Sequence, residues 1–140
     1  MSERFFLDTN IFVYSFDRTA RAKRDIALEL IRRAHASTKG VISYQVVQEF
    51  FNVALRRFTP PMQLHEAQAY LKTVFLPLLE VHSSQSLYLE ALSLQIHHHL
   101  SWYDSIIVTS AVKAKCTLLF SEDMQHGRRF EDLQIQNPFL

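Results

Sequence analysis

Short apolar runs alternate with longer amphipathic patterns along this chain, and that alternation restricts the fold more than any other feature. Residues 4–7, 40–43, 79–82, 117–120 and 133–136 read as short strands. Helical patterns lie between them. Ile26, Ala27, Leu30, Ile31 and Ala34 recur at helical spacing. Val46, Val47, Phe50, Phe51, Ala54, Leu55 and Phe58 do the same, and Pro60-Pro61 stops that helix. Residues 63–76, 84–99 and 103–115 are further predicted helices. Strands separated by helices pair in parallel through right-handed crossovers. The expected fold class is α/β: a three-layer α/β/α sandwich around a short, mainly parallel sheet. The 140 residues suit one domain, residues 1–140. In such sheets ligands bind beyond the carboxyl ends of the strands, where the strand order switches.

Composition narrows the function classes. The only glycines are Gly40 and Gly127, so neither G-x-G-x-x-G nor a phosphate-binding P-loop can exist. No stretch reaches the ~20 apolar residues needed to span a bilayer, so no membrane association is expected. The net charge is +1, so a bound polyanion would be held by local charge and metal and not by the overall field. Cys116 is the single cysteine, read as a small buried apolar residue. Residues 1–6 lack the pattern of a secretory signal, and the expected compartment is the cytoplasm.

Four acids carry the chemistry. Asp8 directly follows an apolar strand, in Phe6-Leu7-Asp8-Thr9-Asn10, where a site is expected; it also suits the N-cap of the next helix. Asp123 repeats this arrangement after residues 118–120, with Glu122 competing for the same role. Asp104 has Ile107, Val108 and Ala111 at i+3, i+4 and i+7, which aims an acid along an apolar stripe. Ser101-Trp102-Tyr103-Asp104 also fits a capping box. Glu49 sits on a helix with Gln45, Asn52 and Arg56 on its side, at the border of polar and apolar faces. All four can converge on one sheet edge. Two carboxylates ~4 Å apart repel by about 4 kcal/mol at an effective dielectric of ~20. Such a cluster either carries shifted pKa values or holds divalent cations. Open oxygen sites suit Mg²⁺ or Mn²⁺, which assist phosphodiester hydrolysis by ionising water.

Three segments resemble the PIN-domain family, in particular the VapC-type toxin ribonucleases. Phe6-Leu7-Asp8-Thr9-Asn10-Ile11 is similar to its opening apolar-D-T-N motif. Trp102-Tyr103-Asp104-Ser105-Ile106-Ile107-Val108 is similar to the motif around its third acid, with Ser105 in place of a small apolar residue. Leu119-Phe120-Ser121-Glu122-Asp123-Met124 and Ile135-Gln136-Asn137-Pro138-Phe139 resemble its C-terminal part, and Val46-Val47-Gln48-Glu49-Phe50 suits the helix bearing the second acid. The resemblance implies a Mg²⁺- or Mn²⁺-dependent endoribonuclease, the toxin of a type II toxin–antitoxin pair. It implies Asp8 and Asp104 as primary metal ligands, with Asp123 completing the site. Glu49 would be a ligand or orient the attacking water, and Thr9, Asn10 and Ser121 would support the acids. RNA is the implied substrate, a small antitoxin the implied partner, and a homodimer the implied assembly.

Other features admit two readings. Arg18, Arg21, Lys23 and Arg24, with Arg56, would steer RNA phosphates toward the acids, or form ordinary solvated helix faces. His97-His98-His99 point in different directions on a helix and suit helix-end carbonyls better than a metal. A phosphatase using Asp8 as nucleophile would need an acid where Asn10 stands. A non-catalytic binding module would not need all four acids. An RNA-processing nuclease with no toxin role keeps the same site.

Overall fold

The computed structural model describes residues 3–140. Its strands are β1 (Phe5–Leu7), β2 (Gly40–Ser43), β3 (Leu79–Val81), β4 (Leu118–Phe120), β5 (Arg129–Phe130) and β6 (Leu133–Gln136). Its helices are α1 (Thr9–Tyr14), α2 (Arg21–Ser37), α3 (Tyr44–Ala54), α4 (Leu64–Tyr70), α5 (Gln85–His97) and α6 (Trp102–Lys113). A π-helical turn, Leu71–Phe75, continues α4. The sheet has six strands in the order β3-β2-β1-β4-β6-β5. All neighbours are parallel except β5 with β6. This is the expected α/β class, a mainly parallel sheet layered with helices.

The strand order reverses at β1. The chain moves outward from β1 to β2 and β3, then returns to place β4 on the other side of β1. The crevice between the carboxyl ends of β1 and β4 is therefore the switch point at which such sheets bind ligands. Both ends are held by backbone bonds. Asp8 N donates to Phe120 O at 3.1 Å, and Ser121 N donates to Gln136 O at 3.0 Å.

Aromatic packing sets the rotation of α3. Phe50 is fully buried and stacks on Tyr70 at 5.1 Å and 15°. It meets Phe75 edge-on at 5.1 Å, and Phe75 meets Phe12 of α1 at 5.0 Å. Truncating such a ring costs about 3–5 kcal/mol. Because Phe50 must point into this cluster, Glu49, one residue back, is turned to the half-buried border of the helix. On α2, Ala34 presses so closely on the start of β2 that a β-carbon at Gly40 would overlap it, which explains one of the two glycines.

Differences from the sequence expectation are local. The helix expected to run to residue 58 ends at Ala54, with Leu55 as its C-cap. A proline ring at position 60 would meet the carbonyl of residue 56 in a continuing helix, and the chain turns before that happens. Residues 71–75 widen to a π turn inside the expected 63–76 helix. β5 was not expected. Cys116 is buried, and burial pushes its thiol up to about 12.

Candidate active site

The D-T-N run divides its work among different acids. Asp8 is the N-cap of α1, with Oδ1 accepting from Thr9 N at 2.7 Å. Its Oδ2 accepts from the Ser121 hydroxyl at 2.8 Å. Asp8 thus fills the cap role expected of it, with its second oxygen turned to the residue that follows β4. Thr9 donates its hydroxyl to Glu49 Oε1 at 2.6 Å. Asn10 donates Nδ2 to Asp123 Oδ2 at 2.9 Å. Thr9 and Asn10, the two positions that follow Asp8, therefore touch the acids on α3 and after β4.

Glu49 is held at both oxygens. Gln45, one helical turn earlier, donates Nε2 to Glu49 Oε2 at 3.2 Å. The same amide nitrogen donates to the Tyr103 carbonyl at 3.2 Å, so Gln45 ties α3 to the first turn of α6. Asp104 lies in that turn, half-buried above Ile107, Val108 and Ala111. Ser101 caps the helix by accepting from Asp104 N at 3.2 Å. Among the described residues no reciprocal bond from the Asp104 carboxylate completes a capping box. The cap accounts for its backbone and leaves the carboxylate free.

Electrostatics couple the acids. Burial lifts Asp8 from 3.8 to about 7; Thr9 N and Ser121 oppose this, while the charges of Glu49 and Asp123 add to it. Asp123 also stands above the ordinary carboxylate range, through lost hydration and then the charges of Asp104 and Glu122, against its bond from Asn10. Among the described residues none of Asp8, Glu49, Asp104 and Asp123 is in an ion pair. Nor are any three of them drawn together tightly enough to hold one ion as they stand.

Glu122 turns the other way. Its Oε1 accepts from the Tyr14 hydroxyl at 2.6 Å and its Oε2 pairs with Lys23 Nζ at 2.5 Å. Burial pushes its carboxyl up, but the Lys23 and Tyr14 bonds outweigh that and leave it below the usual range. Lys23 also lies 4.7 Å over the Tyr14 ring. Its charge is committed to this cluster, while Arg18, Arg21 and Arg56 are exposed. Arg24 is half-buried. In the histidine run, His97 Nδ1 lies 2.9 Å from Ser93 O near the end of α5, and His98 packs edge-on against Phe130 at 5.0 Å.

The match to the PIN domain family runs over residues 5–131 and so takes in all four acids. The chain belongs to the PIN domain family. No curated protein matches this PIN domain. Among solved structures it is similar to a toxin–antitoxin complex from Klebsiella pneumoniae, at 18% identity and a TM-score of 0.64, over 95% of this chain and 96% of that one. It is similar to VapC20 from Mycobacterium tuberculosis, a sarcin-ricin loop cleaving toxin, at 20% identity and a TM-score of 0.61, over 85% and 91%. It is also similar to VapBC2 from Rickettsia felis, solved with a DNA fragment from its promoter, at 19% identity and a TM-score of 0.60, over 94% and 96%. At these identities the likeness is one of fold.

Sequence reasoning missed Gln45, Tyr14 and Lys23 as members of the site's support. Only Gln45 left a signal, its i−4 spacing from Glu49.

Proposed function

We propose that this PIN domain is a Mg²⁺- or Mn²⁺-dependent endoribonuclease and the toxin of a type II toxin–antitoxin pair. One observation carries the reading: carboxylates that have no cationic partner among the described residues lie near one another at the β1/β4 switch point, and Asp8 is pushed to about 7 there. Such negative charge calls for a cation, and an all-carboxylate donor set suits hard divalent ions. Asp8, Asp104 and Asp123 would hold the ion, with Glu49 as a further ligand or as the acceptor of a proton from water. The ion would supply positive charge to ionise water and to neutralise the phosphate being cleaved.

The protein's own groups define the remaining steps. Thr9 and Gln45 fix the two Glu49 oxygens, so this acceptor faces the site in one orientation. Ser121 and Thr9 N favour the charged form of the buried Asp8 carboxyl and so oppose part of its desolvation. Arg18, Arg21, Arg24 and Arg56 would guide the RNA backbone, a role Lys23 has less freedom to share. Water adds to phosphorus, the P–O3′ bond breaks, and the 3′-oxygen takes up a proton. The products are a 5′-phosphate and a 3′-hydroxyl.

The toxin role rests on the similar structures, one of which is a toxin–antitoxin complex and one a sarcin-ricin loop cleaving toxin. A small antitoxin and a homodimer are the corresponding partners, and the cytoplasm the corresponding compartment. No helix among the described residues is long and apolar enough to cross a membrane. The test is purified protein on mixed RNAs with Mg²⁺, Mn²⁺ or EDTA, with cut ends mapped. Chelator should abolish cleavage and either ion restore it. Full cleavage in EDTA, or 2′,3′-cyclic phosphate ends, overturns the mechanism. In cells, expression should slow growth and a small protein encoded nearby should relieve it. An active but harmless enzyme with no such partner would point to RNA processing instead.

A further inference from the structure

Next to the carboxylates lies a cavity of about 330 Å³ between α3, α5 and α6. Its walls include Tyr44, Gln48, Tyr88, Trp102 and Tyr103, and it shares Gln45 with the acid site. No charged side chain lines it, so it is built for an uncharged, flat group and not for phosphate. The Tyr88 and Trp102 rings lie 6.1 Å apart, inclined by 31°, and Tyr103, immediately before Asp104, is 64% exposed. An exposed aromatic at the lip of a carboxylate site offers a stacking face to whatever enters that site.

Gln45 supplies the second observation. Its Nε2 is committed to Glu49 and to the Tyr103 carbonyl, which fixes the orientation of the amide. Its Oε1 is then left buried with no hydrogen-bond partner, in a residue only 4% exposed. It is one of five such buried side-chain atoms among the described residues, and of these only Gln45 lines this cavity, so a donor entering there could satisfy it. Nucleobases combine the required features: a flat π face and edge N–H donors.

We propose that this cavity receives one unpaired RNA base beside the cleaved phosphodiester, stacked on the Trp102–Tyr103 lip and read by the Gln45 and Gln48 amides. The proposal rests on the ribonuclease reading, and it adds what that reading lacks, a contact able to choose where the strand is cut. It also restricts the substrate to unstacked positions, since a base within a duplex cannot turn its face to the lip.

Trp102 is the only tryptophan in the chain, so its fluorescence reports on this cavity alone. Single-stranded hexa-adenylate, titrated into the protein in EDTA so that it stays uncut, should quench this signal saturably. The same strand with abasic residues should bind at least about tenfold more weakly. With Mg²⁺, Tyr103→Leu should raise KM for an intact single strand about tenfold and make no difference on a strand abasic beside the cut. Tyr88→Leu is the second variant, read in the same way. Quenching without cleavage of any RNA would keep the base site and sink the ribonuclease reading. Cleavage that ignores abasic flanks, with no quenching, would sink the base site and keep the ribonuclease reading. A Trp102 signal that follows protein concentration and not RNA would assign the cavity to a second copy of the chain and overturn the proposal.

Discussion

Ser121 and Asp8, 113 residues apart in sequence, are joined by a 2.8 Å hydrogen bond across the carboxyl ends of β4 and β1. The donor steadies the charged form of a carboxyl that burial has lifted to about 7. Removing it leaves desolvation less opposed, so the Asp8 pKa rises further.

Ser121→Ala is therefore predicted to keep the fold and lose about 10–100-fold in metal affinity or activity at neutral pH, the range seen for groups that orient metal ligands. The acid limb of its pH–rate profile should move to higher pH, so alkaline buffer restores part of the activity. Loss by the same factor at every pH would count against this role for Ser121.

The raised Asp8 pKa also makes metal-free stability depend on pH. The native state binds this proton more tightly than the unfolded chain, whose Asp stands near 3.8. The stabilisation is fully present below pH 3.8, declines as pH rises through about 7, and is gone above that. A shift of this size corresponds to something on the order of 4 kcal/mol. Asp8→Asn keeps the shape and removes the titration. In EDTA, urea melts should find the parent losing stability relative to Asp8→Asn between pH 5 and pH 8. Parallel curves would show that Asp8 ionises normally. Mg²⁺ should restore the parent more at pH 8 than at pH 5, because binding needs the carboxylate.

Glu122 and Asp123 separate cleanly in the fold, although they are adjacent in the chain. Glu122 is bound to Tyr14 and Lys23, whereas Asp123 takes its bond from Asn10 and feels the charge of Asp104. Glu122→Gln should retain cleavage within about threefold, and Asp123→Asn should lose at least about 100-fold, the lower end of what a reacting group contributes. The reverse order in a cleavage assay would assign the fourth position to Glu122.

Much of this was legible in the sequence because the governing signals are local. The parallel strands end within one residue of their expected limits, since each is an apolar run bounded by polar residues. The positions of Asp8 and Asp123 follow from those ends. β5 left no such mark: it is two residues long, and its turn to β6 passes through Glu131 at φ 54°, without the Asn-Gly chemistry that announces a hairpin. The division between Glu122 and Asp123 was not legible either. It depends on Tyr14 from α1 and Lys23 from α2 reaching the end of β4, a convergence created by tertiary packing. Gln45 was visible as a neighbour of Glu49, but its tie to the Tyr103 carbonyl exists only once α3 and α6 meet.

Asp104 offers the sharpest division between a structural and a catalytic role. Its backbone N–H is capped by the Ser101 hydroxyl, so the helix start does not depend on the Asp104 carboxylate. The charge of that carboxylate helps to raise the Asp123 pKa and, among the described residues, is in no ion pair. Asp104→Asn is predicted to abolish cleavage while leaving the fold intact. Without metal it should be at least as stable as the parent, because one like charge has left the cluster. If the carboxylate served the cap instead, cleavage would persist and stability would fall by about 1 kcal/mol. Ser101→Ala is the matched control: it removes the cap, should cost about 1 kcal/mol, and should leave cleavage by the folded fraction largely unchanged. Thermal melts in EDTA, paired with RNA cleavage in Mg²⁺, separate the two cases. Near-normal cleavage by Asp104→Asn would remove this residue from the site and, with it, the four-acid arrangement.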